Sequence, residues 1–127
     1  GTSSDRNEPV DVTGLDFGVT AVAPGLYHTC ASLATGAVKC WGYNGYGQVG
    51  DATTSTRYVP TQVSTLTTGV QSLSVGWEHS CAVLTSGAAK CWGRNNEGEV
   101  GDGTYTNRST PVAVVGLSSG VTSIDAT

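Results

Sequence analysis

The chain has 127 residues, of which 13% are charged, and its formal net charge is −4. Its six Lys and Arg residues are spread along the sequence without a basic patch, which argues against nucleic-acid binding by phosphate neutralisation. No apolar run is long enough to span a bilayer, and no signal peptide is visible.

An internal repeat of 51 residues organises the sequence. Residues 25–75 align with residues 76–126 without a gap, and 24 of the 51 positions are identical. A third, partial copy occupies 111–127. Such a period is typical of architectures in which each unit packs against its neighbours. Two and a half units leave open ends, and the chain begins with Gly rather than Met. We therefore expect a piece of a longer array, or a subunit completed by assembly.

Every predicted element of the first unit is a short strand. A Pro-led edge strand is predicted at 9–16, because proline cannot donate to a ladder and suits the start of an edge strand. β-branched residues in near-alternation predict an inner strand at 19–23. Two further strands follow at 28–33 and 37–42, and a second Pro-led strand at 60–63 closes the unit. The second unit repeats these strands at 70–75, 80–84, 88–93 and 111–114.

A three-residue loop between the two central strands predicts how the cysteines pair. Residues 34–36 end in Gly, which suits a type I turn followed by a bulge in which Gly takes positive φ. With this loop Leu33 faces Ala37, and counting outward Cys30 faces Cys40. Directly opposed residues have Cβ atoms about 4.5–5.5 Å apart, within easy adjustment of a disulfide. The predicted disulfides are Cys30–Cys40 and Cys81–Cys91.

The size of the unit indicates the fold class. Residues 43–58 and 94–109 are rich in Gly, Asn, Ser and Thr and form long connections without a helical period. Four short strands in about 50 residues is the size of one propeller blade. We predict an all-β chain, a β-propeller fragment with two complete four-stranded blades plus flanking strands of adjacent blades. The boundaries are 1–18 for an outer strand and linker, 19–69 for blade one, 70–120 for blade two, and 121–127 for the inner strand of a following blade.

Three motifs of the unit resemble those of a known family. They read Gly-x-x-His-Thr-Cys-Ala at 25–31, Gly-x-Val-Lys-Cys-Trp-Gly-x-Asn at 36–44 and Gly-Gln-Val-Gly-Asp at 47–51. Their combination closely resembles the repeat of the regulator of chromosome condensation superfamily over residues 9–127. The resemblance implies a β-propeller, often of seven blades, and its secreted bacterial branch often carries cysteines at these positions. The family's nucleotide-exchange surface lies outside the repeat consensus, and no residue here matches it.

Two motifs that could hold a cofactor have structural interpretations. Residues 45–50 spell G-x-G-x-x-G, but a dinucleotide site needs a helix after the motif, and here a loop follows. His28, Cys30 and Cys40 offer three soft ligands, whereas structural zinc usually takes four at other spacings. We predict no cofactor and no metal. Because no nucleophile elbow is present and each His occurs once per repeat, we also predict that the chain is not an enzyme.

Candidate binding residues are large or charged loop side chains, and most of them differ between the repeats. Trp41 and Trp92 occupy equivalent positions, which indicates packing. Trp77 stands where the first repeat has Leu26, which favours a contact role. Asn107 begins an Asn-Arg-Ser glycosylation sequon, but its copies lack the motif, which favours a chance match. The candidate binding residues are Tyr27, Tyr43, Tyr46, Trp77, Arg94, Glu97 and Tyr105.

The sequence leaves three functions open. The first is a non-catalytic extracellular scaffold, secreted or at the cell surface, whose loops bind a protein or a glycan. The second is a structural subunit that joins head to tail into a ring or filament. The third, a guanine nucleotide exchange-like regulator, is disfavoured by the cysteine pairs, which indicate an oxidising compartment. We expect self-association or a longer propeller chain, with no nucleic-acid partner and no membrane span.

Overall fold

The computed structural model describes residues 1–126. It contains two antiparallel sheets of four strands each. The first sheet contains β1 (Val19–Pro24), β2 (His28–Leu33), β3 (Val38–Gly42) and β4 (Arg57–Gln62). The second contains β5 (Val70–Val75), β6 (His79–Leu84), β7 (Ala89–Gly93) and β8 (Arg108–Ala113). Strands neighbour one another in chain order in both sheets, and no helix occurs between residues 1 and 126. The all-β prediction with two four-stranded units is confirmed.

The outer strand of each sheet begins earlier than its proline. β4 begins at Arg57 and β8 at Arg108, so the predicted starts at Pro60 and Pro111 are wrong by three residues. Gly42 pairs with Arg57 and Cys40 with Thr61, and the register shifts between these two pairs. Pro60 therefore lies within a bulge of an edge strand, where its missing N–H costs no ladder hydrogen bond.

The two flanking segments predicted as strands are not strands in the structure. Residues 9–16 and 121–125 carry no ladder. A strand needs a hydrogen-bonding partner, and in the prediction these segments belong to neighbouring blades. The second segment nevertheless follows the edge of the second sheet, because Ala126 N–H donates to Ser74 Oγ at 2.9 Å. Thr127, which the prediction also assigned to this strand, lies outside the described residues.

The central hairpin confirms the predicted register. Leu33 N–H donates to the Ala37 carbonyl at 2.9 Å, and Gly36 has a φ of 77°. Cys30 pairs directly with Cys40, and their Cα atoms are 4.1 Å apart. Each hairpin holds its cysteines as a disulfide, and all four cysteines of the chain are used.

A shared core joins the sheets. β5 lies against β2 and β1, and the buried cluster contains Val49 and Val63 of the first repeat together with Trp92 of the second. Trp92 is fully buried, and its indole N–H donates to the Gln48 carbonyl at 2.9 Å. Trp41 is its counterpart but is only half-buried, beside an open cavity lined largely by the first 13 residues. The expected packing role therefore holds most clearly for Trp92.

Two non-glycine residues occupy the left-handed region and give the first prediction. Thr65 has a φ of 64°, whereas the third copy places Gly116 there with a φ of 81°. Ala52 has a φ of 68°, and its counterpart is Gly103 at 79°. Because this region is strained for a β-branched residue, we expect Thr65→Gly to raise the free energy of unfolding by about 1 kcal/mol. Urea denaturation measures this change.

The matched controls of this prediction come from the repeat itself. Ala52→Gly should give a smaller gain, because Ala lacks the branched Cβ and the glycine adds entropy to the unfolded chain. Gly116→Thr should destabilise the chain. A gain from Gly116→Thr, or no gain from Thr65→Gly, would contradict the assignment of strain.

Candidate binding loops

Backbone hydrogen bonds join the turn after the first strand of each sheet to the loop after the third strand. In the first repeat, Tyr43 N–H donates to the Tyr27 carbonyl at 2.9 Å. In the second, Arg94 N–H donates to the Glu78 carbonyl at the same distance. The fold therefore presents the same two backbone positions side by side in each repeat, with tyrosines in one and charged residues in the other.

A buried asparagine organises each long loop. The Asn44 amide N–H₂ donates to Asp51 Oδ1 at 3.2 Å and to the carbonyls of Thr53 and Ser55 at 3.1 Å. Its Oδ1 accepts the Val49 N–H at 2.9 Å. The second repeat builds the same network from Asn95, Asp102, Thr104, Thr106 and Val100. These loops are consequently rigid platforms, because each polar atom of the asparagine is used inside the fold.

An aspartate in each loop braces the next strand. Hydrogen bonds from the Thr104 hydroxyl and from Arg108 lower the pKa of Asp102 to about 2, although burial opposes them. Burial raises the pKa of Asp51, but its hydrogen bonds from Thr53 and Arg57 outweigh this and lower it overall. Both carboxylates are therefore ionised at neutral pH and held by internal donors, which gives them a structural role.

The first repeat carries three tyrosines in contact. The ring of Tyr43 meets Tyr27 edge-on, with centroids 6.2 Å apart, and meets Tyr46 in the same way at 6.1 Å. Tyr27 is 54% exposed and Tyr43 is 43% exposed. The structure thus brings three predicted binding residues together on one patch of surface. We call Tyr27, Tyr43 and Tyr46 the tyrosine cluster.

The second repeat has ion pairs at the equivalent place. Arg94 Nη1 lies 3.1 Å from Glu78 Oε2, and Arg94 Nε lies 3.8 Å from Glu99 Oε1. Glu97 N–H donates to the Glu99 carboxylate at 2.8 Å. Sequence reasoning named Arg94 and Glu97 but omitted Glu78 and Glu99 from the candidate residues. Glu78 could have been found, because Tyr27 and Tyr43 are replaced together by Glu78 and Arg94.

Gly45 makes room for the tyrosine cluster. A Cβ atom at this position would collide with the ring and hydroxyl of Tyr43. The equivalent residue in the second repeat is Asn96, where the neighbouring side chain is Arg94 instead of tyrosine. The glycine at the start of the motif at 45–50 therefore has a steric reason, which only the structure shows.

The other candidate residues lie in neighbouring cavities. Trp77 is 69% exposed and, with Leu26, lines a cavity of about 490 Å³ between the two turns. Glu78 lines a second cavity with Tyr27 and Tyr43, of about 260 Å³. Tyr105 is exposed and shares a separate cavity with Glu97. Trp77 thus continues the surface that begins at the tyrosine cluster, whereas Tyr105 belongs to another part of the loops.

The repeated histidine makes a contact between the sheets. His28 Nε2 lies 2.7 Å from Ser80 Oγ, which lies 3.2 Å from the Gln48 carbonyl. Because the serine has one proton to give to the carbonyl, Nε2 carries the ring proton and donates to Ser80. Nδ1 is then an acceptor, and it has no partner among residues 1–126. Burial lowers the pKa of His28 to about 4, with a smaller contribution from His79. This histidine is structural.

The remaining sequence motifs also have defined environments. Asn107 is exposed, and its side-chain oxygen accepts the Asn95 N–H at 2.8 Å. No cluster of three or more His, Cys, Asp or Glu residues suited to a metal occurs in the part of the chain that the structure describes. Over residues 1–126 there is also no helix with the length and apolarity needed to cross a membrane.

The chain contains two adjacent four-stranded antiparallel sheets. In each sheet the first strand packs towards the neighbouring sheet, and the fourth strand lies at the edge. This arrangement defines the chain as consecutive blades of a β-propeller. Residues 35–83 match the regulator of chromosome condensation (RCC1) repeat, and residues 19–48 and 70–99 match a second description of the same repeat. The chain belongs to the RCC1 repeat family.

Curated relatives of this chain include proteins of several kinds. A probable human E3 ubiquitin-protein ligase, HERC4, is 35% identical over 98 residues, which are 76% of this chain and 9% of the ligase. The ultraviolet-B receptor UVR8 of Arabidopsis thaliana is 32% identical over 101 residues, covering 79% of this chain and 23% of the receptor. A mouse secretion-regulating guanine nucleotide exchange factor is 36% identical over 122 residues, covering 80% of this chain and 25% of that protein. The chain thus spans a quarter or less of these relatives.

Solved structures share the fold. Human WBSCR16 superposes with a TM-score of 0.72 at 23% identity, over 81% of this chain and 27% of that one. Prp20p from Saccharomyces cerevisiae, described with its binding to Gsp1p and histones, gives 0.66 at 21% identity, over 76% of this chain and 25% of that one. At these identities the likeness establishes the blade architecture alone.

Proposed function

We propose that this chain is a non-catalytic, extracellular β-propeller module that binds a protein through its loops. The observation that carries the proposal is the contrast between the repeats. Their loop platforms are built alike around Asn44 and Asn95, yet the side chains on them differ, with the exposed Tyr43 in one and the half-buried Arg94 in the other. Exposed Tyr and Trp on a rigid platform are the residue types that dominate protein-binding hot spots.

Affinity capture with matched variants tests this proposal. The wild-type chain, a Tyr43→Ser/Trp77→Ser variant and a Tyr58→Ser control would be immobilised and exposed to extracellular fluid of the source organism. Tyr58 is an exposed tyrosine of β4, outside the loops. We expect one protein to be retained by the wild type and the control and lost from the double variant, and then to bind again as purified protein. Equal retention by all three chains, or glycan in place of protein, would contradict the proposal.

The extracellular location gives the second prediction. Cys30–Cys40 and Cys81–Cys91 are buried disulfides, and such bonds persist in oxidising compartments. We expect the native chain, isolated without reductant, to show no reactive thiol even after unfolding, and to show four after reduction. Peptide mapping should link Cys30 to Cys40. Four free thiols in the native protein would favour the cytosolic exchange-factor-like alternative.

A structural subunit is the second candidate, favoured by the surface of β1. Val19 and Val22 on this strand are exposed, whereas Val70 and Leu73, their counterparts on β5, pack against the first sheet. The exposed face of β1 therefore has the chemistry of a blade-to-blade contact. Further blades would cover it, supplied by the same polypeptide or by another copy. The mass of the native assembly by light scattering tests this, because a stable monomer of 12.9 kDa would contradict it.

A further inference from the structure

Two members of the tyrosine cluster, Tyr27 and Tyr43, are exposed, and internal contacts hold all three residues in place. Tyr43 N–H is bonded to the Tyr27 carbonyl, and Tyr46 N–H is bonded to Gln48 Oε1, each at 2.9 Å. The edge-on contacts fix the rings against one another. Fixed aromatic rings bind with little loss of conformational entropy. The cluster therefore resembles a preformed binding surface.

A carboxylate from the second repeat completes one side of this surface. Glu78 lines the same cavity as Tyr27 and Tyr43. Its partner Arg94 is shared with Glu99, and Glu97 follows closely, so this stretch holds three carboxylates and one guanidinium. The chain as a whole is also negative, with a net charge of −4. An incoming cation is therefore favoured over an anion or a neutral group.

The size of the cavity restricts the occupant. The volume of this cavity, about 260 Å³, is below the range of roughly 300–1,000 Å³ that is usual for small-molecule sites. Three residues line the cavity, and it is shallow. A single long side chain fits this description better than a free ligand. The guanidinium group of arginine stacks on aromatic faces and also pairs with carboxylates, which are the two kinds of group present here.

We propose that Tyr27, Tyr43 and Glu78 form a cradle that binds an arginine side chain of a partner protein. This proposal rests on the protein-binding function above and names the chemistry of the partner. The second repeat has no such cradle, because Glu78 and Arg94 stand there in place of the two tyrosines. The site therefore occurs once in the two repeats.

Nuclear magnetic resonance titration of the whole chain tests the cradle with a defined probe. The probe is the blocked peptide Ser-Gly-Arg-Gly-Ser, and its control contains citrulline, which keeps the shape of arginine without the charge. We expect the arginine peptide to shift the ring signals of Tyr27 and Tyr43, and the citrulline peptide to bind at least about fivefold more weakly. Added salt should weaken the binding. Equal binding of both peptides would overturn the proposal.

Three variants locate the site. Tyr43→Ser removes a ring, and Gly45→Asn introduces the residue of the second repeat, which displaces the Tyr43 ring without deleting it. Both should abolish the response, whereas Tyr58→Ser should preserve it. Unchanged binding by both loop variants would overturn the location. A response to tri-N-acetylchitotriose in place of the peptide would overturn the partner chemistry in favour of glycan.

The outcomes separate the cradle from the broader function. If the chain captures a protein through Tyr43 and Trp77 but does not bind the arginine peptide, the cradle alone is refuted. If the chain neither captures a protein nor binds the peptide, the protein-binding function is refuted as well.

Discussion

Replacement of Trp92 by alanine should lower the free energy of unfolding by about 3–5 kcal/mol. Trp92 is fully buried where the second sheet meets the first, and its indole N–H donates to the Gln48 carbonyl. Alanine would leave a cavity between the sheets and would remove one of the two hydrogen bonds that the Gln48 carbonyl accepts, and both effects destabilise the folded state. Urea denaturation followed by circular dichroism measures the loss, and a chain that no longer folds would agree with it.

The repeat supplies the matched control for this result. Trp41→Ala removes the same side chain from the equivalent strand position, where the ring is half-buried beside an open cavity. Its cost should be clearly smaller, because fewer contacts are lost. Trp92→Phe keeps most of the volume and loses the hydrogen bond, so about 1–2 kcal/mol is expected. A Trp41→Ala variant as unstable as Trp92→Ala would contradict the role of Trp92 between the sheets.

Acidification should destabilise the chain through His28. Burial lowers the pKa of His28 from 6.5 to about 4, so the folded state takes up a proton less readily than the unfolded state. The stabilising effect of the neutral ring is complete above pH 6.5 and is lost as the pH falls towards 4. The difference between the two pKa values corresponds to about 3 kcal/mol in the free energy of unfolding. The pKa of His79 is also lowered by burial, which adds a loss in the same direction.

His28→Gln provides the control for the pH effect. The glutamine amide can donate to Ser80 in place of His28 Nε2 but does not titrate. The free energy of unfolding of this variant should therefore depend much less on pH between 7 and 4 than that of the wild type. Parallel pH profiles for the two chains would show that another group is responsible. Below this range the aspartates of the loop networks should add their own loss, because their pKa values are lowered.

Local chemistry made much of the fold predictable. The strand pattern and the three-residue hairpin each depend on residues close together in sequence, and the 51-residue repeat shows each pattern twice. The hairpin length alone predicted that Cys30 faces Cys40, because the number of loop residues determines which positions oppose one another. The error at Pro60 has a local origin as well. A proline can sit at the start of an edge strand or in a bulge of one, and only the paired partner strand distinguishes the two.

The candidate site was predictable as a set of residues but not as an arrangement. Sequence comparison of the repeats named Tyr27, Tyr43 and Tyr46, since each is replaced by a charged residue one repeat later. It could not predict that the rings touch, because the contact depends on how a turn and a distant loop are hydrogen-bonded together.

The sequence by itself determined the repeat, the all-β class and the cysteine pairing, because these depend on local periodicity and on loop length, and its motifs carried the resemblance to the family. Only the tertiary structure decided which equivalent residues have equivalent environments. Trp41 and Trp92 look alike in sequence, but one is half-buried and the other is sealed between the sheets. Likewise Glu78 reaches the cavity of Tyr27 and Tyr43 only because the second sheet packs beside the first. The burial and the electrostatic environment of a residue depend on neighbours from both repeats. The sequence of one repeat therefore does not determine them.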